Sequence, residues 1–249
     1  MNVCWNITSS CNKSCRYCFK FKDVDISLDA KKFVLNRLKN LNVKKIVWGG
    51  GEPYLVNDID ILLKTSHDYG IYNDVITNAS LLNKDNLVNK LKNVDKLNIS
   101  LDFVDDKLNK KYGIGEDCYK HVKELIPLIN KYFPDINLQI NTVVFKNNID
   151  KLNDIYKELN NYKISSWKLN KFFPVRGSAL KNKEKLYITD FEYDKEVSKF
   201  LDTKQDFKIC FNDEEKMMKK HYIVLSSGKL IVSEDNKDIE VIDLMKDNE

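Results

Sequence analysis

Short β-branched apolar runs alternate along this chain with longer stretches in which apolar residues recur every third or fourth position. The strand-like runs are VCWNIT (3–8), KKIVW (44–48), YNDVITN (72–78), KLNISLDF (96–103), INLQINTVVF (136–145) and SSWKLNKFF (165–173). Between them lie SLDAKKFVLNRLKNLN (27–42), DIDILLKTSHDYG (58–70), KDNLVNKLKNV (84–94), CYKHVKELIPLINKYF (118–133) and NIDKLNDIYKELNN (148–161), which carry the stripe of helices packed on a sheet. Ser27 reads as the N-cap of the first of these, with Ala30 and Phe33 inside it. Strands alternating with helices predict right-handed βαβ units and a parallel sheet, either a closed barrel or an open, curved partial one.

The pattern changes after about residue 186. ITDFEYDKEVSKFLDT (188–203) predicts a helix, and HYIVLSSGKLIVSE (221–234) a hairpin turning at Ser227–Gly228. The division expected is a core over residues 1–185 and a cap over 186–249 packed on it, with the hairpin around Tyr222 and Lys229 as a lid.

Composition narrows the function without naming it. The 249 residues are 43% hydrophobic and 31% charged, an ordinary soluble balance. With 41 Lys plus Arg against 37 Asp plus Glu, the net charge of +4 does not indicate a nucleic-acid binder. No apolar run reaches the length of a membrane span, and MNVCWNITSS lacks the basic start and apolar stretch of a signal peptide. The expected location is the cytoplasm, where thiols stay reduced and clustered cysteines argue for a metal or for catalysis.

Three of the six cysteines crowd into one stretch, CNKSCRYCF. Cys11, Cys15 and Cys18 follow the spacing C-x3-C-x2-C in a loop after the first strand, where parallel α/β folds build their sites. Structural zinc normally takes four protein ligands, and the next Cys and first His are distant, at Cys118 and His67. Three thiolates with one vacant position suit a four-iron cluster whose fourth iron stays open to a ligand. Cys4, Cys118 and Cys210 are scattered and suggest no second cluster.

The cysteine spacing, with Tyr17 before the last cysteine, resembles the signature of the radical S-adenosylmethionine (SAM) enzymes. The resemblance implies a partial (β/α)6 barrel with a short C-terminal helix and hairpin cap. It also implies a [4Fe-4S] cluster on Cys11, Cys15 and Cys18, and SAM cleaved there to a 5′-deoxyadenosyl radical that takes a hydrogen atom from substrate. A reductase, flavodoxin or ferredoxin would supply the electron. WGGGEP resembles the family's GGEP motif and maps SAM recognition onto Gly50, Gly51, Glu52 and Pro53. ITNAS resembles its TNG-type turn, with Ala79 where Gly is usual and Asn78 as the polar contact. ISLD puts Ser100 and Asp102 on one face at the fourth strand's end, and INTVV offers Asn141 at the same rim.

Within the family, SCNKSCRYCF, LNISLDFVDDKLNKKYGIG, INTVV, SSWK and HYIVLSSGKL resemble, in order, segments of viperin-like antiviral nucleotide dehydratases. These convert a nucleoside triphosphate to its 3′-deoxy-3′,4′-didehydro form and hold the triphosphate with basic side chains. Lys45 matches one of them, whereas Gln139 and Ser166 stand where a Lys and an Arg are expected; Lys168, Lys171 and Arg176 are the remaining candidates. KFFPVRGSA instead resembles the sixth-strand end of peptide-modifying relatives, where Phe172, Phe173 and Pro174 would pack on adenine or simply fill the core. Three readings stand: a nucleotide-modifying enzyme, a peptide-modifying maturase without auxiliary clusters, and a cluster protein without radical chemistry.

Overall fold

The computed structural model describes residues 1–235 and 237–246. Strands and helices alternate from the start: β1 (Asn2–Thr8), α1 (Leu28–Asn40), β2 (Lys45–Gly50), α2 (Ile59–Asp68), β3 (Tyr72–Thr77), α3 (Leu87–Leu91) and β4 (Lys96–Ser100). Two helices, α4 (Asp106–Lys111) and α5 (Cys118–Tyr132), precede β5 (Asn137–Val144), then come α6 (Leu152–Leu159) and β6 (Ser166–Lys171). The tail adds α7 (Gly177–Lys181), α8 (Lys183–Leu186), α9 (Asp190–Val197), β7 (Lys208–Asn212), α10 (Glu214–Met218), β8 (His221–Val224), β9 (Lys229–Glu234) and β10 (Lys237–Asp243). Helix starts follow local chemistry. Ser27 accepts from the Ala30 amide at α1, and Thr189 with Glu192 forms a capping box at α9.

The ten strands of the described residues lie in one sheet, ordered β10-β9-β8-β1-β2-β3-β4-β5-β6-β7. Every neighbour pair from β1 to β7 is parallel. This is the expected α/β partial barrel, with one addition from the tail. Residues 186–246 do more than cap the barrel: β7 extends its far edge, and β8 pairs parallel with β1 at the near edge. The β8–β9 hairpin forms as expected, with Gly228 at its turn, and β10 closes against β9.

Alternation along each strand gives the sheet two different faces. Trp5, Trp48, Val75, Ile99, Ile140 and Trp167 point outward and are fully buried against helices, meeting Leu35, Leu62, Ile126 and Ile155. Many inward positions are polar, among them Asp74, Asn98, Ser100, Gln139, Asn141, Lys168, Asn170 and Asn212 in successive cross-strand rows from β3 to β7, with Val47, Ile76 and Val143 between them. One polar residue on the outward face is Asn73, fully buried and fully bonded. Its Oδ1 accepts from Trp48 Nε1 at 2.9 Å, and its Nδ2 donates to the carbonyls of Leu63 at 2.9 Å and Asn93 at 2.8 Å. It ties β3 to the β2 tryptophan, to α2 and to the turn after α3. Asn73→Ala would orphan three buried partners. It should lower unfolding free energy by about 3 kcal/mol, read as a lower urea midpoint at unchanged slope. A loss below about 1 kcal/mol would show that this network carries no weight.

Candidate active site

The connection from β1 to α1 carries the three clustered cysteines and has no helix or strand of its own. Its backbone groups find partners in four other segments, one of them the turn after β8, where the Ile26 amide donates to the Ser226 carbonyl at 3.2 Å. Thr8 and Ser10 carbonyls accept from the amides of Gly51 (2.8 Å) and Glu52 (2.9 Å). The Ser14 and Arg16 amides donate to the carbonyls of Gly113 and Tyr112, both at 3.0 Å. The Cys18 carbonyl accepts from Ala179 N at 3.0 Å, and the Arg16 carbonyl from Asn182 Nδ2 at 3.1 Å. Two of these approaches exclude any side chain. A Cβ on Gly51 would lie 1.8 Å from the Ser10 carbonyl oxygen, and one on Gly113, at φ +77°, 2.3 Å from that of Ser14. The loop also carries Tyr17 and Cys15 into a small aromatic core distinct from the main one. There Tyr17 stacks on Phe145 at 5.1 Å, beside Phe103, Tyr112 and Phe172.

Cys11, Cys15 and Cys18 are free thiols, partly enclosed. They are near enough to disfavour one another's ionisation. Burial pushes the Cys15 thiol well above its usual range, and Asp102, Cys18 and Cys11 push it further; burial also raises Cys18, with Cys11 adding. Among the described residues no group of His, Cys, Asp or Glu closes tightly enough to hold a single metal ion. An iron–sulfur cube makes a different demand. Each thiolate binds its own iron, so the sulfurs must frame a space instead of meeting at a point. Three soft donors crowded in a half-buried loop fit such a group, because its positive irons offset the repulsion that the bare thiolates suffer.

The other motif residues gather around this loop. Glu52 is 1% exposed, and its carboxylate accepts from Thr77 Oγ1 (2.7 Å), Asn78 N (2.8 Å) and Tyr54 N (3.2 Å). Burial raises its pKa while these donors act the other way. Glu52 thus clips the Gly50–Gly51–Glu52–Pro53 turn to the end of β3. Asn78 Nδ2 donates to Asn12 Oδ1 at 3.0 Å and lies 3.9 Å from Cys11 Sγ. Ala79 takes the left-handed φ of +63° where the resemblance expects glycine, and its carbonyl meets His121 Nε2 at 3.0 Å.

Asp102 departs from the sequence expectation of a SAM contact. It is 3% exposed, and both carboxylate oxygens are taken: Oδ1 accepts from Val143 N at 2.7 Å and Oδ2 from Tyr17 Oη at 2.5 Å. Burial holds its carboxyl up at about 6, against the two hydrogen bonds. Asp102 therefore anchors the cysteine loop to β4 and β5.

Inside the barrel lies a cavity of about 590 Å³, lined by Ser100, Asn141, Lys168, Asn170 and Asn212 and by the apolar Val47, Ile76 and Val143, with residues of α10 and β8, including Tyr222, completing the wall. Of the four basic residues expected to bind substrate, three have carboxylate partners. Lys45 pairs with Asp74 at 2.5 Å. Lys171 contributes to the cavity wall, but its fully buried side chain pairs with Asp190 at 2.6 Å and Glu214 at 3.3 Å. Arg176 pairs with Asp238 at 2.9 Å and stacks 3.9 Å over Phe21. Lys171 and Arg176 thus fasten the tail to the barrel. Phe172 is core, at 0% exposure, whereas Phe173 lines the cavity. Lys229, expected in a lid, pairs with Glu240 on the surface. Sequence reasoning missed Gly113, for which the paired glycines of YGIG were the signal.

Comparison with known proteins places these features among relatives. The sequence profile described as "Radical SAM superfamily" matches residues 5–159. An S-adenosylmethionine-dependent nucleotide dehydratase of Flammeovirga pacifica is 30% identical over 212 residues, covering 80% of this chain and 71% of its own length. A putative glycyl-radical enzyme activating enzyme of Methanocaldococcus jannaschii is 33% identical over 195 residues, covering 72% and 74%. The chain spans between 48% and 87% of the length of further nucleotide dehydratases that it matches. Among solved structures, anSMEcpe with bound AdoMet and the Kp18Cys peptide superposes with a TM-score of 0.71 at 18% identity, covering 92% of this chain and 73% of that one.

Two outcomes test the loop geometry. Gly51→Ala should cut iron bound after anaerobic reconstitution severalfold, because the Ser10 backbone cannot yield 1.8 Å of contact. Gly49→Ala, whose Cβ meets nothing within 4 Å, should bind iron as wild type does. Asp102→Ala should also lose iron, since Tyr17 and Val143 lose their shared acceptor; iron content at the wild-type level would return Asp102 to a purely ligand-contacting role.

Proposed function

The chain belongs to the radical SAM superfamily, whose enzymes use a [4Fe-4S] cluster and S-adenosylmethionine, and we propose that it dehydrates a nucleoside triphosphate, with Cys11, Cys15 and Cys18 holding the cluster. The observation that carries the substrate reading is a set of polar groups on the barrel's inward face. Ser100, Asn141, Asn170 and Asn212 offer hydrogen-bonding groups to one cavity and Lys168 a positive charge, among the apolar Val47, Ile76, Val143 and Phe173. The polar groups suit a sugar and an anion, and the apolar ones a flat base. The Flammeovirga pacifica relative, named for nucleotide dehydration, supports the same reading.

When bound, the cluster and SAM supply a primary carbon radical able to remove one hydrogen atom. The chain's own residues do the rest. The glycine turn beside Ser10 brings backbone amides and carbonyls against the ligand space, and Glu52 keeps that turn docked on β3. Asn78 stands beside Cys11, where its amide can orient the methionine end. Ser100 and Asn141, adjacent on β4 and β5, face the cavity and would hold the ribose or the substrate sugar. α10 and β8 add Met217, Tyr222 and Ile223 to the cavity wall, apolar groups that would limit water around the radical. A flavodoxin or ferredoxin would deliver the electron.

Reconstituted, reduced enzyme should release 5′-deoxyadenosine about tenfold faster with one of CTP, GTP, UTP or ATP than with none. Absence of stimulation by all four, with stimulation by a peptide, would replace the nucleotide with a peptide substrate. Cys15→Ala should lose both the iron and all release of 5′-deoxyadenosine; a variant that keeps both would remove Cys15 from the cluster.

A further inference from the structure

The cysteine loop has an inner and an outer side. Cys15 and Tyr17 turn inward and join the small aromatic cluster, while Arg16 between them is exposed. The Arg16 guanidinium lies 5.9 Å from the centre of the Tyr112 ring, and Lys111 Nζ lies 5.7 Å from the same ring. Tyr112 is 4% exposed and belongs to that cluster: its ring stacks on Phe103 and tilts against Phe145, which stacks on Tyr17. Cys15 Sγ lies 3.8 Å from the carbonyl oxygen of Gly113, the residue after Tyr112. The Tyr112–Gly113 segment therefore carries two cations over its ring and the Cys15 thiol against its backbone.

The other flank of the loop is also basic. The Arg16 carbonyl accepts from Asn182 Nδ2, and the exposed Lys181 and Lys183 stand on either side of Asn182 in the chain. Among the described residues, Arg16, Lys111, Lys181 and Lys183 have no carboxylate within ion-pair distance, whereas neighbouring Lys110 pairs with Glu116 at 2.5 Å. Asp105 and Asp106 are engaged by backbone amides at the starts of α4 and α5. Asp117 and Glu184 are the exposed carboxylates left uncommitted on these segments, so the balance stays positive. Like charges gathered without counter-ions attract a partner of opposite sign and steer its approach.

We propose that Arg16, Lys111, Lys181 and Lys183 form the docking face of an acidic one-electron carrier protein, which delivers its electron past Tyr112 toward Cys15. Reducing a cluster on Cys11, Cys15 and Cys18 needs an electron from outside, and tunnelling weakens steeply with distance. The carrier must therefore dock where little protein separates it from a liganding sulfur, as at Tyr112 and Gly113. Redox encounters bury little surface, so a compact charged rim suffices. The step moves one electron and no proton: the carrier is oxidised by one, the cluster reduced by one, and no bond forms or breaks. The face rests on the cluster placement proposed above and not on the nucleotide.

A flavodoxin of net negative charge is the probe, with two readouts on the reconstituted protein: its binding by surface plasmon resonance, and bleaching of cluster absorbance by its reduced form in stopped flow. Lys111→Glu/Lys183→Glu should weaken binding and slow bleaching about tenfold or more, the scale of electrostatic steering. Bleaching by dithionite, which needs no docking face, should keep its wild-type rate. Lys64→Glu, which alters a surface lysine on α2, should match the wild type with both reductants. Salt at about 0.5 M should slow the wild type and narrow the gap to the double variant. Wild-type binding and bleaching by flavodoxin in the double variant overturn the face and leave the cluster in place. Equal slowing with dithionite also overturns it, because the charges would then act on the cluster itself. No flavodoxin binding to the wild type at low salt overturns it too. Charge-dependent flavodoxin binding to a protein that retains no iron keeps the face and removes the cluster placement.

Discussion

The contact between the Ser10 carbonyl and Gly51 is the constraint from which the site follows. The cysteine-bearing loop is a long connection without regular structure, and ordering it costs on the order of 1 kcal/mol per residue. Nothing local repays that cost. The repayment comes from backbone hydrogen bonds to the β2 turn, to the end of α4 and to α7, and from packing Tyr17 and Cys15 into the aromatic cluster. Each of these partners is contributed by a different βα unit, so the thiols are placed only when the barrel is complete. The cysteine loop is in this sense a product of the tertiary fold, and the glycines that admit it are as specific as the cysteines it carries.

The two faces of the sheet divide stability from function. Buried parallel strands usually read as near-continuous apolar runs. Here KLNIS, NLQINTVV and SWKLNK alternate instead, with apolar residues turned to the helices and amides, hydroxyls and lysines turned inward. The polar inward groups give up apolar burial, and the space they line is open to a ligand that can use their hydrogen bonds. The fully bonded Asn73 on the opposite face shows the contrast. It spends all its hydrogen-bonding capacity on the scaffold, whereas Ser100, Asn170 and Lys168 face the cavity.

The barrel was legible because its signals are local. β-branched runs, amphipathic stripes and the Ser27 cap mark β1 to β6 and their helices within a few residues of their ends. β7 escaped because KICFN is short and flanked by charge, and β10, KDIEVID, is largely exposed at an edge. The site divides in the same way. Cysteine spacing and the WGGGEP turn lie within single segments and were readable. The bond from Tyr17 to Asp102 spans 85 positions, and the pairing of Lys171 with Glu214 spans 43. Neither has a local signature, so Asp102 read as a ligand contact and Lys171 as a substrate contact.

In a chain so rich in lysine, residue type cannot separate working charges from structural ones, but the charge network can. Lys45, Lys171, Arg176 and Lys229 each face a carboxylate, and two of these pairs, Lys171 with Asp190 and Glu214 and Arg176 with Asp238, tie the tail across the barrel's open side. Their charges are spent on architecture, and a bound anion would have to compete with a fixed partner. Lys96 donates to an amide, and Lys168 faces the cavity. Tail and cavity wall therefore use the same side chain for opposite ends. The matched side chains tie the tail across the barrel, and Lys168 leaves its charge open to the cavity.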